Sequence, residues 1–136
     1  MKIYFAGSIR GGRDDRELYS KITKLLSKYG TVLTEHVSSA DLSAAGENRA
    51  SEDIYERDIA WLSESDVVVA EVTTPSFGVG YEIAKAQEMD KRLLCLYRPT
   101  PHRSLSAMIA GNKYISVHEY QSVGDLEKIL SDFFKN

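Results

Sequence analysis

Short apolar runs alternate with amphipathic segments along the 136-residue chain. The runs are continuously apolar rather than interrupted at every second position, which is typical of strands that are covered on both faces. They predict four buried strands over residues 3–6, 31–33, 66–72 and 93–97, and a weaker fifth strand over residues 114–118. A sheet that is buried on both sides is therefore expected.

Segments with helical periodicity separate these strands. In residues 15–29, leucine and isoleucine recur on one face, and Gly30 ends the segment. A second helix is predicted over residues 54–63, preceded by Ser51 as its cap and by Glu52 and Asp53 as an acidic first turn. Two further helices are predicted over residues 79–89 and 123–134.

The alternation of strand and helix predicts an α/β fold with three layers. Its centre is a parallel five-stranded sheet, and helices cover both faces. A length of 136 residues fits a single domain that spans the whole chain. Residues 37–49, rich in Ser, Ala, Gly and Asn, are expected to form a mobile loop.

The polar and glycine-rich segments all follow predicted strands. They cover residues 7–12, 34–36, 73–80 and 98–106. In open α/β sheets, ligands bind outside the carboxyl ends of the strands, at the point where the strand order reverses. We therefore expect these four segments to form one composite pocket.

Composition and charge narrow the function classes. Apolar residues make up 43% of the chain and charged residues 27%, which is ordinary for a soluble globular protein, and no apolar run approaches membrane-spanning length. A net charge of -3 argues against a general nucleic-acid binder. The single cysteine, Cys95, excludes an internal disulfide and a multi-cysteine metal site, and a cytoplasmic protein is expected. Three scattered histidines show no metal-ligand spacing, so no metal is expected.

Residues 7–12, Gly-Ser-Ile-Arg-Gly-Gly, are a candidate anion-binding loop. The segment matches neither the P-loop nor the dinucleotide-binding pattern. Its glycines allow backbone N–H groups to approach an anion, Arg10 offers a bidentate fork for phosphate, and Ser8 adds a hydroxyl donor. The alternative is a plain glycine turn with a solvated arginine.

Glu82 lies where a loop turns into a helix, and it projects from an apolar stripe formed with Val79, Ile83 and Ala86. A carboxylate in such a stripe is costly unless it is paired or used chemically. We expect a first-turn position to keep Glu82 ionised through free N–H groups and the helix dipole. An ionised and poorly hydrated carboxylate is suited to attack on an anomeric carbon.

Asp58 is a second carboxylate on an apolar helix face, four residues after Ile54. Two inward carboxylates with divergent pKa values are a candidate acid and nucleophile pair, and retaining glycosidases place such groups about 5–5.5 Å apart. The alternative is that each carboxylate pairs structurally with a base such as Arg10 or Arg57. Tyr4, in the first strand, is buried by default, but its hydroxyl could reach the pocket.

Three other acidic residues are assigned no chemistry. Glu64, Asp66 and Glu71 are interpreted as a solvated helix end and strand boundaries.

With these residues identified, the chain resembles the 2'-deoxynucleoside 5'-phosphate N-hydrolases of the nucleoside 2-deoxyribosyltransferase superfamily. The resemblance runs from Tyr4 to about Ile109. It is carried by YFAGSIRGGRDDR at residues 4–16, GTVLTEHV at 30–37, RDIAWL at 57–62, SDVVVAEVT at 65–73, PSFGVGYE at 75–82 and LSAMI at 105–109.

The resemblance implies a flavodoxin-like fold and roles for individual residues. Glu82 matches the nucleophile that forms a glycosyl-enzyme intermediate, Asp58 the acid that assists departure of the base, and Tyr4 a tyrosine near the sugar. The remaining matches concern the phosphate: Ser8, Arg10 and Ser76 as contacts, with Gly7, Ile9, Gly12 and Gly78 lining the same loops. No metal or organic cofactor is implied.

The resemblance also implies an obligate homodimer, in which Ser106 contacts the phosphate in the neighbouring subunit's site. The chain departs from the pattern at Ala6, where a change in packing is expected. It also departs at residues 38–53 and from Gly111 onwards, which are candidate positions for base-selecting contacts, so base preference is not fixed.

The leading hypothesis is hydrolysis of 2'-deoxynucleoside 5'-monophosphates to free base and 2-deoxyribose 5-phosphate. Three alternatives stay open: transfer of deoxyribose between bases, cleavage of a ribonucleotide such as a modified CMP, and a non-catalytic nucleotide-binding module on the same fold.

Overall fold

A computed structural model describes residues 1–9, 13–34 and 49–135 of the chain. Arg10, Gly12 and all but the last residue of the predicted loop over residues 37–49 lie outside these ranges.

The centre of the fold is a sheet of five parallel strands. Their bounds are β1 Lys2–Ala6, β2 Thr31–Val32, β3 Val67–Glu71, β4 Arg92–Tyr97 and β5 Ser116–Glu119. The order is β2-β1-β3-β4-β5, so the direction of winding reverses between β1 and β3. The α/β class, the five parallel strands and the flavodoxin-like order are confirmed.

Helices cover both faces of the sheet. Their bounds are α1 Arg13–Leu26, α2 Ser51–Glu64, α3 Phe77–Glu88, α4 Ala107–Ala110 and α5 Val123–Lys135. On one face, α1 and α5 bury Ile22 and Leu126 against Phe5 of β1. On the other face, α2 and α3 bury Leu62 and Ile83 with Tyr4 and Ala6 of the same strand. Successive residues of β1 thus point to opposite faces, as strand geometry requires. No helix in the described ranges is both long and apolar enough to span a membrane.

Several predicted boundaries were wrong. Ser51 is the first helical residue of α2 rather than its cap; Ala50 takes the cap position without a side-chain bond. Glu52 and Asp53 nevertheless form the acidic first turn of α2, as predicted, where negative charge is favourable. The short α4 was not predicted, because a helix of four residues contains no periodic pattern.

Gly7 follows β1 and packs closely against Tyr19 of α1. A Cβ atom added at Gly7 would lie 2.9 Å from two ring atoms of Tyr19 and 3.3 Å from the ring of Phe5. The hydroxyl of Tyr19 accepts a hydrogen bond from the backbone N–H of Ser8, over 3.0 Å. The absence of a side chain at residue 7 therefore allows Tyr19 to fix the course of the loop that follows β1.

We predict that Gly7→Ala lowers the free energy of unfolding by about 1–3 kcal/mol, because the new methyl group overlaps the Tyr19 ring. Chemical denaturation measures this loss. The matched control is Gly124→Ala in α5, where the nearest atom to an added Cβ is Ser122 Oγ at 3.6 Å. This substitution should raise stability by about 0.5–1 kcal/mol, as expected for alanine in a helix. Equal effects of the two substitutions would contradict the packing account.

Candidate active site

A hydrogen bond between Tyr4 and Glu82 joins the sheet to α3. Tyr4 lies in β1 and is 1% exposed, and its hydroxyl donates a short hydrogen bond to Oε2 of Glu82. The neighbours of Glu82 on α3 include the buried residues Val79 and Ile83, so the carboxyl group lies at the edge of an apolar cluster. The structure thus places the predicted nucleophile and the predicted pocket tyrosine in direct contact.

The ionisation of Glu82 differs from the expectation. Burial raises the pKa of Glu82 to about 7; the hydrogen bond from Tyr4 opposes this rise, and the negative charge of Asp58 adds to it. The expected first-turn position was wrong, because α3 begins at Phe77 and Glu82 falls in the second turn. No free N–H group of the first turn therefore stabilises its charge. Near neutral pH the carboxyl group exchanges readily between its protonated and ionised forms.

Asp58 forms an ion pair with its neighbour in α2. Its Oδ1 lies 3.0 Å from Arg57 Nη2 and accepts a hydrogen bond from Arg57 Nε over 3.1 Å. The guanidinium group of Arg57 also stacks 4.8 Å from the centre of the Trp61 ring. The structural pairing considered for Asp58 is thus present, through its Oδ1. The charge of Asp58 still raises the pKa of Glu82 and of Tyr4, so Asp58 acts electrostatically on the same site.

Ser76 and Glu82 approach each other across Gly78. The Oγ of Ser76 caps α3 by accepting a hydrogen bond from the backbone N–H of Val79, over 3.3 Å. A Cβ atom added at Gly78 would lie 3.8 Å from Ser76 Oγ and 3.9 Å from Glu82 Oε1. A predicted phosphate contact and the predicted nucleophile therefore flank the same glycine, and the bare backbone keeps the space between them open.

Two predicted loop residues lie at the carboxyl end of β1. Ser8 is buried, and Ile9 packs partly buried against the cluster that includes α1. The described part of the predicted anion loop, Gly7 to Ile9, therefore lies at the carboxyl edge of the sheet, next to the point between β1 and β3 where the strand order reverses.

Ser106 lies away from the carboxyl groups. It caps α4 by accepting a hydrogen bond from the N–H of Met108, over 3.2 Å, and it lines a cavity of about 570 Å³ between α3 and the segment around α4. Ser76 also lines this cavity, but Tyr4, Asp58 and Glu82 do not. The cavity faces Phe77, Gly80 and Ala84 of α3, whereas Gly78 and Glu82 lie on another side of that helix. Within one chain, Ser106 is therefore not brought to Glu82.

A buried network at the end of β3 was missed. Glu71 is 1% exposed, and its carboxylate accepts hydrogen bonds from the backbone N–H and the hydroxyl of Thr73 and from the hydroxyl of Tyr120. Glu71 does lie at a strand boundary, as predicted, because it ends β3, but its burial was not predicted; these donors replace water. The signal was present: Glu71 interrupts an apolar run and is followed two residues later by a threonine.

In the described part of the chain, no three His, Cys, Asp or Glu side chains come together as a group that could bind a metal ion.

Comparison with known proteins identifies relatives that match this chain over most or all of its length. The family model described as nucleoside 2-deoxyribosyltransferase matches residues 3–119. A 5-hydroxymethyl-dUMP N-hydrolase of Tetraodon nigroviridis is 51% identical over 141 residues, covering 100% of this chain and 99% of that protein. The human protein of the same name is 51% identical over 138 residues, covering 98% of this chain and 79% of that protein.

A solved structure supports the fold independently. The CMP N-glycosidase of Clostridium botulinum superposes with a TM-score of 0.65, covering 96% of this chain and 98% of that one. At 16% sequence identity, this similarity extends to the fold alone.

We predict that the carboxyl group of Glu82 titrates with a pKa of about 7, and that its two neighbours move this pKa in opposite directions. Tyr4→Phe should raise it by about one to two pH units, because a hydrogen bond to the ionised form is lost. Asp58→Asn should lower it, because a nearby negative charge is removed. Carbon-13 NMR of the glutamate carboxyl groups measures both changes.

The control for these variants is Tyr114→Phe, which removes a hydroxyl that donates to the carbonyl of Lys91 over 3.0 Å. It should leave the pKa of Glu82 unchanged. Titration of Glu82 near 4.5 in the wild-type protein would contradict this account of the site.

Proposed function

Because the chain belongs to the nucleoside 2-deoxyribosyltransferase family, we propose that it hydrolyses the N-glycosidic bond of 2'-deoxynucleoside 5'-monophosphates. The products are a free nucleobase and 2-deoxyribose 5-phosphate. The observation that carries this proposal is the half-buried carboxyl group of Glu82, which is hydrogen-bonded to Tyr4 and flanks Gly78 together with Ser76. The names of the relatives, which are 5-hydroxymethyl-dUMP N-hydrolases, support this class of substrate.

The proposed reaction proceeds in two steps through Glu82. In the first step, an oxygen of ionised Glu82 bonds to C1' as the bond from C1' to the base nitrogen breaks. The base takes up a proton from solvent, delivered through Asp58, as it leaves. In the second step, water attacks C1' and gives up a proton to solvent through Asp58 while the bond from C1' to the Glu82 oxygen breaks, which releases the carboxylate and 2-deoxyribose 5-phosphate. Formation of a covalent intermediate divides one difficult displacement into two easier ones.

The environment of Glu82 suits this role. Burial removes water from the carboxylate, which makes it a stronger nucleophile, but burial also favours the protonated form. The hydrogen bond from Tyr4 opposes that second effect by stabilising the ionised form. A pKa of about 7 leaves a substantial ionised fraction at neutral pH. The site thus combines poor hydration with usable charge.

Phosphate recognition is assigned to the loops beside the catalytic group. Ser8 and Ser76 are the described side chains at this edge, and Arg10, outside the described ranges, supplies a cation. The glycines at 7, 12 and 78 and the backbone of Ile9 allow the anion to approach the chain closely. These contacts favour a monophosphate over the neutral nucleoside that a base-transferring enzyme would accept.

We further propose that two copies of the chain form the working enzyme in the cytoplasm, each donating Ser106 to the other's site. Phe77 is 101% exposed and Met108 is 81% exposed, and both line the cavity that contains Ser106. Large apolar side chains with this exposure are typical of a protein interface. An interface here brings a residue that is distant from Glu82 within its own chain to the Glu82 of its partner.

We predict that the purified protein releases free base from 5-hydroxymethyl-dUMP, measured by chromatography. Glu82→Gln should lower kcat at least about 1,000-fold, because the nucleophile is lost. Glu88→Gln is the matched control, since Glu88 lies on the same helix with a 70% exposed side chain and should be dispensable.

An added acceptor base distinguishes hydrolysis from transfer, because only transfer yields a new nucleotide. Base release that survives in Glu82→Gln would remove Glu82 from the mechanism.

We predict that Met108→Asp converts the dimer to monomers in sedimentation analysis and lowers monophosphate hydrolysis, because the buried charge opposes association and Ser106 no longer reaches a partner. Val123→Asp is the control: Val123 is also exposed, but it begins α5, where an acidic residue is favourable. If the wild-type protein sediments as a monomer and hydrolyses the monophosphate at its full rate, the proposal of a site shared between two copies is wrong.

A further inference from the structure

Arg98 follows directly after β4 and is anchored by the buried network of Glu71. Thr73 donates hydrogen bonds to Glu71 from its backbone N–H over 2.7 Å and from its hydroxyl over 2.9 Å. The same hydroxyl accepts a hydrogen bond from the backbone N–H of Arg98 over 2.9 Å. This chain of bonds joins the ends of β3 and β4 and fixes the backbone at Arg98.

The hydrogen-bond network around Glu71 uses the backbone N–H of Arg98 but not its guanidinium group. Both oxygens of Glu71 are already occupied, one by the N–H of Thr73 and the other by the hydroxyls of Thr73 and Tyr120. Arg98 itself is half-buried. Among the residues that the structure describes, its guanidinium group makes neither a hydrogen bond nor an ion pair. Burial raises the pKa of Glu71 and the positive charge of Arg98 opposes this rise, but without a hydrogen bond between the two side chains the N–H donors of Arg98 remain available to an anionic ligand.

The positive charge of Arg98 acts on Tyr19, which accepts a hydrogen bond from the described part of the predicted anion loop. Burial raises the pKa of Tyr19, and the positive charge of Arg98 offsets part of that rise. It acts in the same direction on Glu71 and Tyr120. The hydroxyl of Tyr19 accepts the N–H of Ser8 over 3.0 Å, so the charge of Arg98 is felt at the residue that fixes the loop.

We propose that Arg98 is a cationic contact for the 5'-phosphate of the substrate, and that Thr73 and Glu71 are positioning residues that act through it. This inference rests on the proposed function for the identity of the anion. A guanidinium group at the end of β4 approaches the anion from the side of the sheet covered by α1 and α5, whereas Ser76 approaches it from α3. The phosphate is then bound from both sides of the reversal in strand order.

The test is a binding measurement that does not depend on turnover. In the Glu82→Gln background, calorimetric titration gives the Kd of 5-hydroxymethyl-dUMP and of the corresponding nucleoside. Arg98→Met should raise the Kd of the monophosphate about 10- to 100-fold and change that of the nucleoside less than about threefold, because one charged contact to phosphate is lost. Arg98→Lys keeps the positive charge but not the planar guanidinium group. Its Kd for the monophosphate should lie between those of the wild type and Arg98→Met.

Arg92→Met is the matched control. Arg92 begins the same strand, and its guanidinium group donates to the carbonyl of Phe133 over 2.7 Å. Removing this cation from the other end of β4 should leave both Kd values within about twofold.

A double-mutant cycle tests the positioning role. Thr73→Val removes the hydroxyl that accepts the N–H of Arg98 and should weaken monophosphate binding in the presence of Arg98. In the Arg98→Met background the same change should add little further loss, because Thr73 acts through Arg98. If Thr73→Val weakens monophosphate binding as much in the Arg98→Met background as in the presence of Arg98, Thr73 has only a structural role.

The inference is overturned if Arg98→Met leaves the monophosphate Kd unchanged, or if it weakens nucleoside and monophosphate equally. These results are distinct from failure of the proposed function. A wild-type protein that binds the monophosphate but releases no base would overturn hydrolysis, while the Kd values would still decide the role of Arg98.

Discussion

The hydrogen bond from Tyr4 to Glu82 is the interaction on which the site depends. It places a carboxyl group against an apolar cluster, where burial alone would keep that group protonated and inert. The phenol supplies a donor in place of water, so the carboxyl group retains an accessible ionised form. Because Tyr4 belongs to β1 and Glu82 to α3, the bond also fixes the helix against the sheet.

The topology determines what lies around this bond. The strand order reverses between β1 and β3, so the loops that follow these strands diverge to opposite faces and leave an open edge between them. Ser8 lies at one side of that edge and Ser76 at the other. Two glycines shape this edge of the sheet. Gly7 allows Tyr19 to pack closely after β1, and Gly78 keeps the space beside Glu82 free.

Much of this arrangement could be predicted from the sequence, because burial leaves a local trace. Continuous apolar runs predicted the strands, and the apolar neighbours of Glu82 predicted that this side chain points inward, where it meets Tyr4. Other features depend on contacts between distant residues. Glu71 and Thr73 are close in sequence and leave a local signal, but the hydrogen bond from Tyr120, 49 positions after Glu71, leaves none. The expected ionisation of Glu82 was wrong because Ser76 caps the helix early, which moves Glu82 into the second turn.

The most direct test of the central claim is to trap the sugar on Glu82. A 2'-fluoro-arabino analogue of the substrate slows both chemical steps, because fluorine destabilises their oxocarbenium-like transition states. After rapid quenching and proteolysis, mass spectrometry should find the sugar phosphate attached to the peptide that contains Glu82, and no adduct in Glu82→Gln. Base release without any adduct, or an adduct on a different residue, would contradict the account.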